Sequence, residues 1–124
     1  MSSKKILLVD DSCTARLVNR MIFNQKPNYV LISASDGKEA VEKAREEKPD
    51  LILMDIVMPR MTGLQACRVL KNDAETKKIP IILLTTRGEE QYVQEGYASG
   101  CSDYLTKPVN DIELLDLMKA YLGE

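Results

Sequence analysis

The sequence predicts an α/β domain: one five-stranded parallel sheet with helices on both faces. Three observations predict it. Short apolar runs alternate with amphipathic stretches from end to end. Three of the runs, KILLVD, DLILM and IPIILLT, are apolar almost throughout rather than alternating, as strands buried on both faces are. The joints are short, with no linker, repeat or low-complexity tract. A chain of 124 residues, 44% of them hydrophobic, suits a single domain with one core, here expected to span 1–124. Five β-α units of this kind imply a parallel sheet with helices on both faces, and strand order 2-1-3-4-5 is expected for it.

The elements follow in order. Residues 5–10 read as the first strand and run into Asp10-Asp11. A helix comes next, with Val18, Met21 and Ile22 on one face. YVLISA, 29–34, is the second strand. Asp36 and Glu39 then stand three apart, a capping pair for a helix whose Ala40, Val41 and Ala44 share a face. DLILM, 50–54, is the third strand and is followed at once by Asp55. Thr62 and Gln65 form a strict capping box, and Leu64, Cys67 and Leu70 line the helix behind it. Residues 79–85 form the fourth strand, ending in Thr85-Thr86, and Thr86 with Glu89 repeats the capping box. SDYLT, 102–106, is the fifth strand and leads to Lys107-Pro108. Asn110 with Glu113 starts the last helix, striped by Leu115, Met118 and Leu122.

Composition narrows the function. A net charge of −2 without a basic run gives no footprint for nucleic acid or a membrane surface. No apolar run approaches the roughly 20 residues that span a bilayer. The apolar stretch near the start, Ile6 to Val9, is too short for a secretion signal, so a cytoplasmic protein is expected. Three cysteines without a C-x-x-C pair argue against a disulfide framework or a zinc site and read as buried thiols. The absence of histidine excludes histidine triads, histidine ligands and a phosphohistidine on this chain.

Ligands of open parallel sheets bind beyond the carboxyl ends of the strands. Strands one, three, four and five are neighbours in the expected order, so Asp10, Asp11, Asp55, Thr85 and Lys107 should converge there. Two unit charges about 4 Å apart repel by roughly 4 kcal/mol at an effective dielectric near 20. Three carboxylates with one lysine therefore call for a further cation. Oxygen ligands favour a hard divalent ion, and Mg²⁺ takes one or two carboxylates together with water and a phosphate oxygen. In such a corner Asp55 is placed to attack phosphorus and form an acyl phosphate. Lys107 and the metal would offset the charge of the transferring group, and the Thr85 hydroxyl would bond one of its oxygens.

ILLVDDS, LILMDIVMPRMTG, PIILLTT and DYLTKPV, in this order and at these intervals, resemble the receiver domain of two-component response regulators over essentially the whole chain. The resemblance is to the single-domain, chemotaxis-like members that lack an output domain. It implies a flavodoxin-like (βα)5 three-layer sandwich and a role for each matched position. Asp55 would be the phosphoacceptor. Asp11 and Asp55 would hold Mg²⁺ directly with the backbone carbonyl of Val57, and Asp10 would act through water. Lys107 would pair with the phosphoryl group and with Asp55. Thr85 and Tyr104 would form the switch, with Thr85 shifting toward the phosphoryl group and Tyr104 turning inward. Pro108 matches the family's cis-proline.

The implied phosphoryl donor is a sensor histidine kinase or a phosphotransfer protein. The output would be contact between a target protein and the last two helices with strand five, with no direct binding of nucleic acid and no catalysis beyond the chain's own phosphorylation and dephosphorylation.

Two positions, Thr86 and Val57, are less typical of the family and bear on the lifetime of the phosphoryl group. Thr86 stands where Ala or Gly is common, and its side chain would narrow access to Asp55. Val57 cannot hydrogen-bond an attacking water, and Arg87 is no ideal base. Slow autodephosphorylation is expected, and decay of the purified phosphoprotein within seconds would contradict it. Tyr92 and Tyr97 are candidates for the partner surface, Met58, Pro59 and Met61 for shaping the loop beside the site, and Cys13 lies next to the acid pair.

Rival readings fit less well. A haloacid-dehalogenase-like phosphatase needs a second Asp where Val57 stands. A flavin binder needs a Ser/Thr/Gly-rich loop where DDSCTAR places two acids. The nearest alternative is a degenerate receiver, a binding module recognised without phosphorylation.

Overall fold

The computed structural model describes residues 4–10, 29–56, 61–85, 91–107 and 109–123. The expected first helix, with Val18, Met21 and Ile22, lies outside them, as do Asp11, Cys13, Val57, Met58, Pro59, Thr86, Arg87 and Pro108. The described chain runs β1 (Lys4–Val9), β2 (Tyr29–Ala34), α1 (Gly37–Glu47), β3 (Leu51–Asp55), α2 (Gly63–Lys71), β4 (Ile81–Thr85), α3 (Gln91–Ala98), β5 (Asp103–Thr106) and α4 (Asp111–Leu122). The five strands form one parallel sheet in the expected order, β2-β1-β3-β4-β5.

Alternate strand residues point to opposite faces, and this sorts the interior into two cores. Leu7, Val9, Ile52, Met54, Ile81 and Leu83 face α1 and α2, where Ala40, Val41, Ala44, Leu64, Cys67 and Leu70 meet them. Ile6, Leu8, Leu53, Ile82, Leu84 and Leu105 face α4, packing against Leu114, Met118 and Leu122. The apolar runs of β1, β3 and β4 thus serve both layers of a three-layer sandwich. Each fully buried Leu, Ile or Met contributes about 1.5–3 kcal/mol of transfer free energy.

Helix starts follow the capping pairs. The Thr62 hydroxyl accepts the Gln65 N–H at 3.2 Å and the Gln65 side chain accepts the Thr62 N–H at 2.9 Å, closing the box. Asp36 accepts from the Glu39 amide at 2.8 Å, but the Glu39 carboxylate reaches one residue further back, to the Ser35 N–H and hydroxyl. Asn110 accepts from the amides of Ile112 and Glu113. The Thr86–Glu89 pair lies outside the described residues.

The limits of β1, β3 and β5 shift by one residue from the sequence expectation, and two other expectations move as well. The fourth strand begins at Ile81 rather than 79, because Ile79 closes a turn by donating its N–H to the Thr76 carbonyl at 3.0 Å. The buried stripe of α4 uses Leu114 in place of Leu115, which is only half-buried. Leu114, Met118 and Leu122 recur every four residues, so the stripe keeps helical spacing one position earlier. No helix among the described residues is long and apolar enough to cross a membrane.

Candidate functional site

The site is built by aligned strand ends. Val9 pairs with Met54, Asp55 with Leu84 and Thr85 with Thr106. Asp10 follows β1, Asp55 closes β3, Thr85 closes β4 and Lys107 follows β5, so one edge of the sheet collects all four. Backbone bonds hold the strand ends together: the Ile56 amide donates to the Leu84 carbonyl at 3.2 Å, and the Lys107 amide to the Thr85 carbonyl at 2.6 Å.

Lys107 is the hub. Its Nζ donates to Asp10 Oδ1 at 2.6 Å and to Asp55 Oδ2 at 3.0 Å. The Asp10 side chain is 0% exposed, that of Lys107 14% and that of Asp55 17%. One ammonium thus serves two carboxylates in a largely dry corner, and Asp55 is the acid that solvent reaches. Burial pushes the Asp55 carboxyl above its ordinary value; Lys107 opposes this, while the neighbouring Asp10 charge adds to it. Burial also pulls the Lys107 ammonium down, but its bonds to Asp10 and Asp55 outweigh that and hold it above its ordinary value. Lys107 therefore stays charged, and negative charge exceeds positive by one even before Asp11 is counted.

The donor set fits a hard cation. It is all oxygen, over-supplied with negative charge and partly open at Asp55, which suits Mg²⁺ better than a softer metal. Among the described residues no three acids, cysteines or histidines form a metal cluster, and Asp11, the expected third acid, lies outside them.

Thr85 is 1% exposed, and its hydroxyl makes a long 3.5 Å bond to the Leu105 carbonyl. A weak bond of this length leaves the hydroxyl cheap to redirect. Tyr104 faces outward from β5 and meets Tyr97 of α3. Cys67 and Cys101 are buried, and burial first of all pushes their thiols up to about 12 and about 11, so both stay protonated.

The sequence reading assigned no role to Gly63 and no specific neighbour to Tyr97. Gly63 opens α2 against the backbone of Asp55 and Ile56, where any Cβ would collide. A glycine that begins a capped helix eight residues after the key acid was the available signal.

Comparison with known proteins agrees with this geometry. The response regulator receiver domain matches residues 6–119. The chain belongs to that family and is a receiver domain of a two-component response regulator. It is 44% identical to protein PilH of Pseudomonas aeruginosa, over 96% of this chain and 98% of that one. Among solved structures it resembles the receiver domain of the sensor histidine kinase PA1611 of Pseudomonas aeruginosa, which has a magnesium ion coordinated in its active-site cleft. The TM-score is 0.86 at 28% identity, covering 99% and 100% of the two chains. It also resembles the chemotaxis response regulator CheY4 of Vibrio cholerae, with a TM-score of 0.84 at 34% identity, covering 97% and 99%.

Proposed function

We propose that this receiver accepts a phosphoryl group on Asp55 from the phosphohistidine of a sensor histidine kinase or phosphotransfer protein, and signals in the cytoplasm through a changed protein-binding face. The observation that carries this reading is the Lys107 ammonium bridging Asp10 and Asp55, with Asp55 the carboxylate open to solvent. An Asp55 carboxylate oxygen attacks phosphorus as the phosphorus–nitrogen bond breaks. The electron pair leaves with the donor imidazole, and an acyl phosphate remains. Lys107 keeps its proton throughout and steadies the added charge. Thr85 turns its hydroxyl from the Leu105 carbonyl to a phosphoryl oxygen. Asp10, Asp11, Asp55 and the Val57 carbonyl would hold Mg²⁺, which supplies charge neutralisation and orientation of the phosphoryl oxygens when bound. The chain catalyses only its own phosphorylation and dephosphorylation.

The added charge of about −2 biases a two-state surface rather than building a new one. Thr85 leaves β5, Tyr104 turns into the space, and a target reads α3, β5 and α4. That surface has a definite electrostatic character. Residues 88–124 hold eight acids and two lysines, whereas residues 1–87 hold eleven acids and fifteen bases. Of the two lysines Lys107 belongs to the site, so the outer face favours a basic partner. Binding of the target should weaken about tenfold between roughly 50 and 300 mM salt, measured by calorimetry; a flat salt dependence would contradict this charge reading.

The central test is incubation with acetyl phosphate and Mg²⁺, followed by intact mass and peptide mapping. Single phosphorylation at Asp55, abolished by EDTA, is expected. If neither acetyl phosphate nor a cognate kinase labels the chain, the degenerate-receiver reading takes its place.

A further inference from the structure

Tyr104 carries the proposed switch, and its ring lies outside the sheet, 38% exposed. The ring packs edge-on against Tyr97 of α3, with centroids 6.2 Å apart and planes at 85°. This T-shaped geometry sets the positive edge of one ring on the negative face of the other. Asp103 joins the pair. Its Oδ1 accepts the Tyr104 backbone N–H at 2.8 Å and the Tyr97 hydroxyl at 3.5 Å.

Tyr97 itself stands on a fixed base. It lies in the last turn of α3, and the residues just after it are tied to α2: the Cys67 thiol donates to the Ser99 carbonyl, and Arg68 Nε donates to the Ser99 hydroxyl at 3.1 Å. One residue before it, Gly96 lies so close to the Leu83 side chain that a Cβ would come within 2.7 Å. The ring of Tyr97 is nonetheless 46% exposed, so core packing does not explain its position.

We propose that Tyr97 is a positioning residue for the switch: held by the anchored end of α3, its ring keeps Tyr104 outward and so sets the resting population of the inward state. The consequence for signalling rests on the phosphoryl-switch reading, but the contact belongs to the resting protein. Losing one edge-to-face ring pair shifts the ratio of inward to outward Tyr104 by about three- to tenfold.

The test uses the full chain with 3-fluorotyrosine at its five tyrosines, the Tyr104 signal being assigned by its loss in Tyr104→Phe. The fluorine shift difference between H₂O and D₂O reports how far the ring is exposed. In unphosphorylated Tyr97→Ala this difference should fall at Tyr104 as the ring turns in. Tyr97→Phe should stay near wild type, because the ring edge survives without the hydroxyl. Tyr97→Leu, which keeps an apolar side chain, should behave like Tyr97→Ala and guards against misfolding of the smaller variant. An unchanged or larger difference in both Tyr97→Ala and Tyr97→Leu would overturn the proposal, since Tyr104 would then stay out without its neighbour. Failure of the phosphoryl reading appears separately, as no label on Asp55, and leaves this resting-state measurement intact.

Discussion

Asp55→Asn should take up no phosphoryl group from acetyl phosphate or from a cognate kinase, and it should melt at a higher temperature than wild type at pH 7. The first result follows from removing the proposed nucleophile; the amide oxygen is far too weak to replace it. Label appearing on another residue of the variant would refute the assignment of Asp55.

The second result follows from the site's charge. Burial raises the Asp55 carboxyl above its ordinary 3.8, so the folded chain holds that proton more tightly than the unfolded chain. As pH climbs through 3.8 the unfolded state loses its proton first, and stability falls until the folded carboxyl has ionised too. Ionised Asp55 thus costs stability at pH 7, and the neutral amide removes that cost. The gain should vanish below pH 3.8, where both states of the wild type are protonated. Mg²⁺ offers an independent check. At a hundred times its dissociation constant a ligand of the folded state adds about 2.7 kcal/mol, so wild type should melt higher with Mg²⁺ and Asp55→Asn should respond less.

Much of this was legible in the chain because several local signals agreed. KILLVD, DLILM and IPIILLT are apolar on both faces, which only a sheet covered on both sides tolerates, and β1, β3 and β4 are buried accordingly. With the expected doubly wound order 2-1-3-4-5, the acids after β1 and in β3 and the lysine after β5 had one edge to share, and Lys107 does reach both Asp10 and Asp55.

What escaped were facts of packing. Leu114 and Leu115 are equally apolar, and the face that α4 turns to the sheet decides which is buried. The end of α3 and the middle of β5 are seven residues apart in sequence, and nothing in the letters says that Tyr97 and Tyr104 meet ring to ring. Glu39 was read as half of a capping pair, yet its carboxylate bonds the Ser35 amide and hydroxyl, one residue before the cap.

Gly63→Ala should be the most disruptive single-methyl change among the described glycines. A Cβ there would sit 2.2 Å from the Asp55 carbonyl oxygen and 2.9 Å from the Ile56 Cα. Both are backbone atoms of the segment that carries Asp55, so no side chain can swing aside. The Gly63 amide also donates to the Ile56 carbonyl at 2.8 Å, and the Thr62–Gln65 box fixes the helix start at the same place. Relief must come by pushing the first turn of α2 away from the end of β3. Overpacking of this kind costs about 3 kcal/mol, or roughly 10 °C in melting temperature.

The contrast is Gly123→Ala, where nothing lies within 4 Å and only the left-handed backbone, φ +77°, resists. That change should cost about 1 kcal/mol. Calorimetry on the two variants checks the ranking, and equal melting temperatures would contradict it. The rate of phosphoryl uptake then separates two ways of yielding. If β3 gives way, Asp55 moves relative to Lys107, and a displacement near 1 Å slows uptake by about 100-fold. If α2 shifts alone, stability falls but uptake keeps its rate. Because β3 is paired on both sides, with β1 and β4, while α2 rests on one face of the sheet, the helix is the softer element. The larger loss should therefore fall on stability.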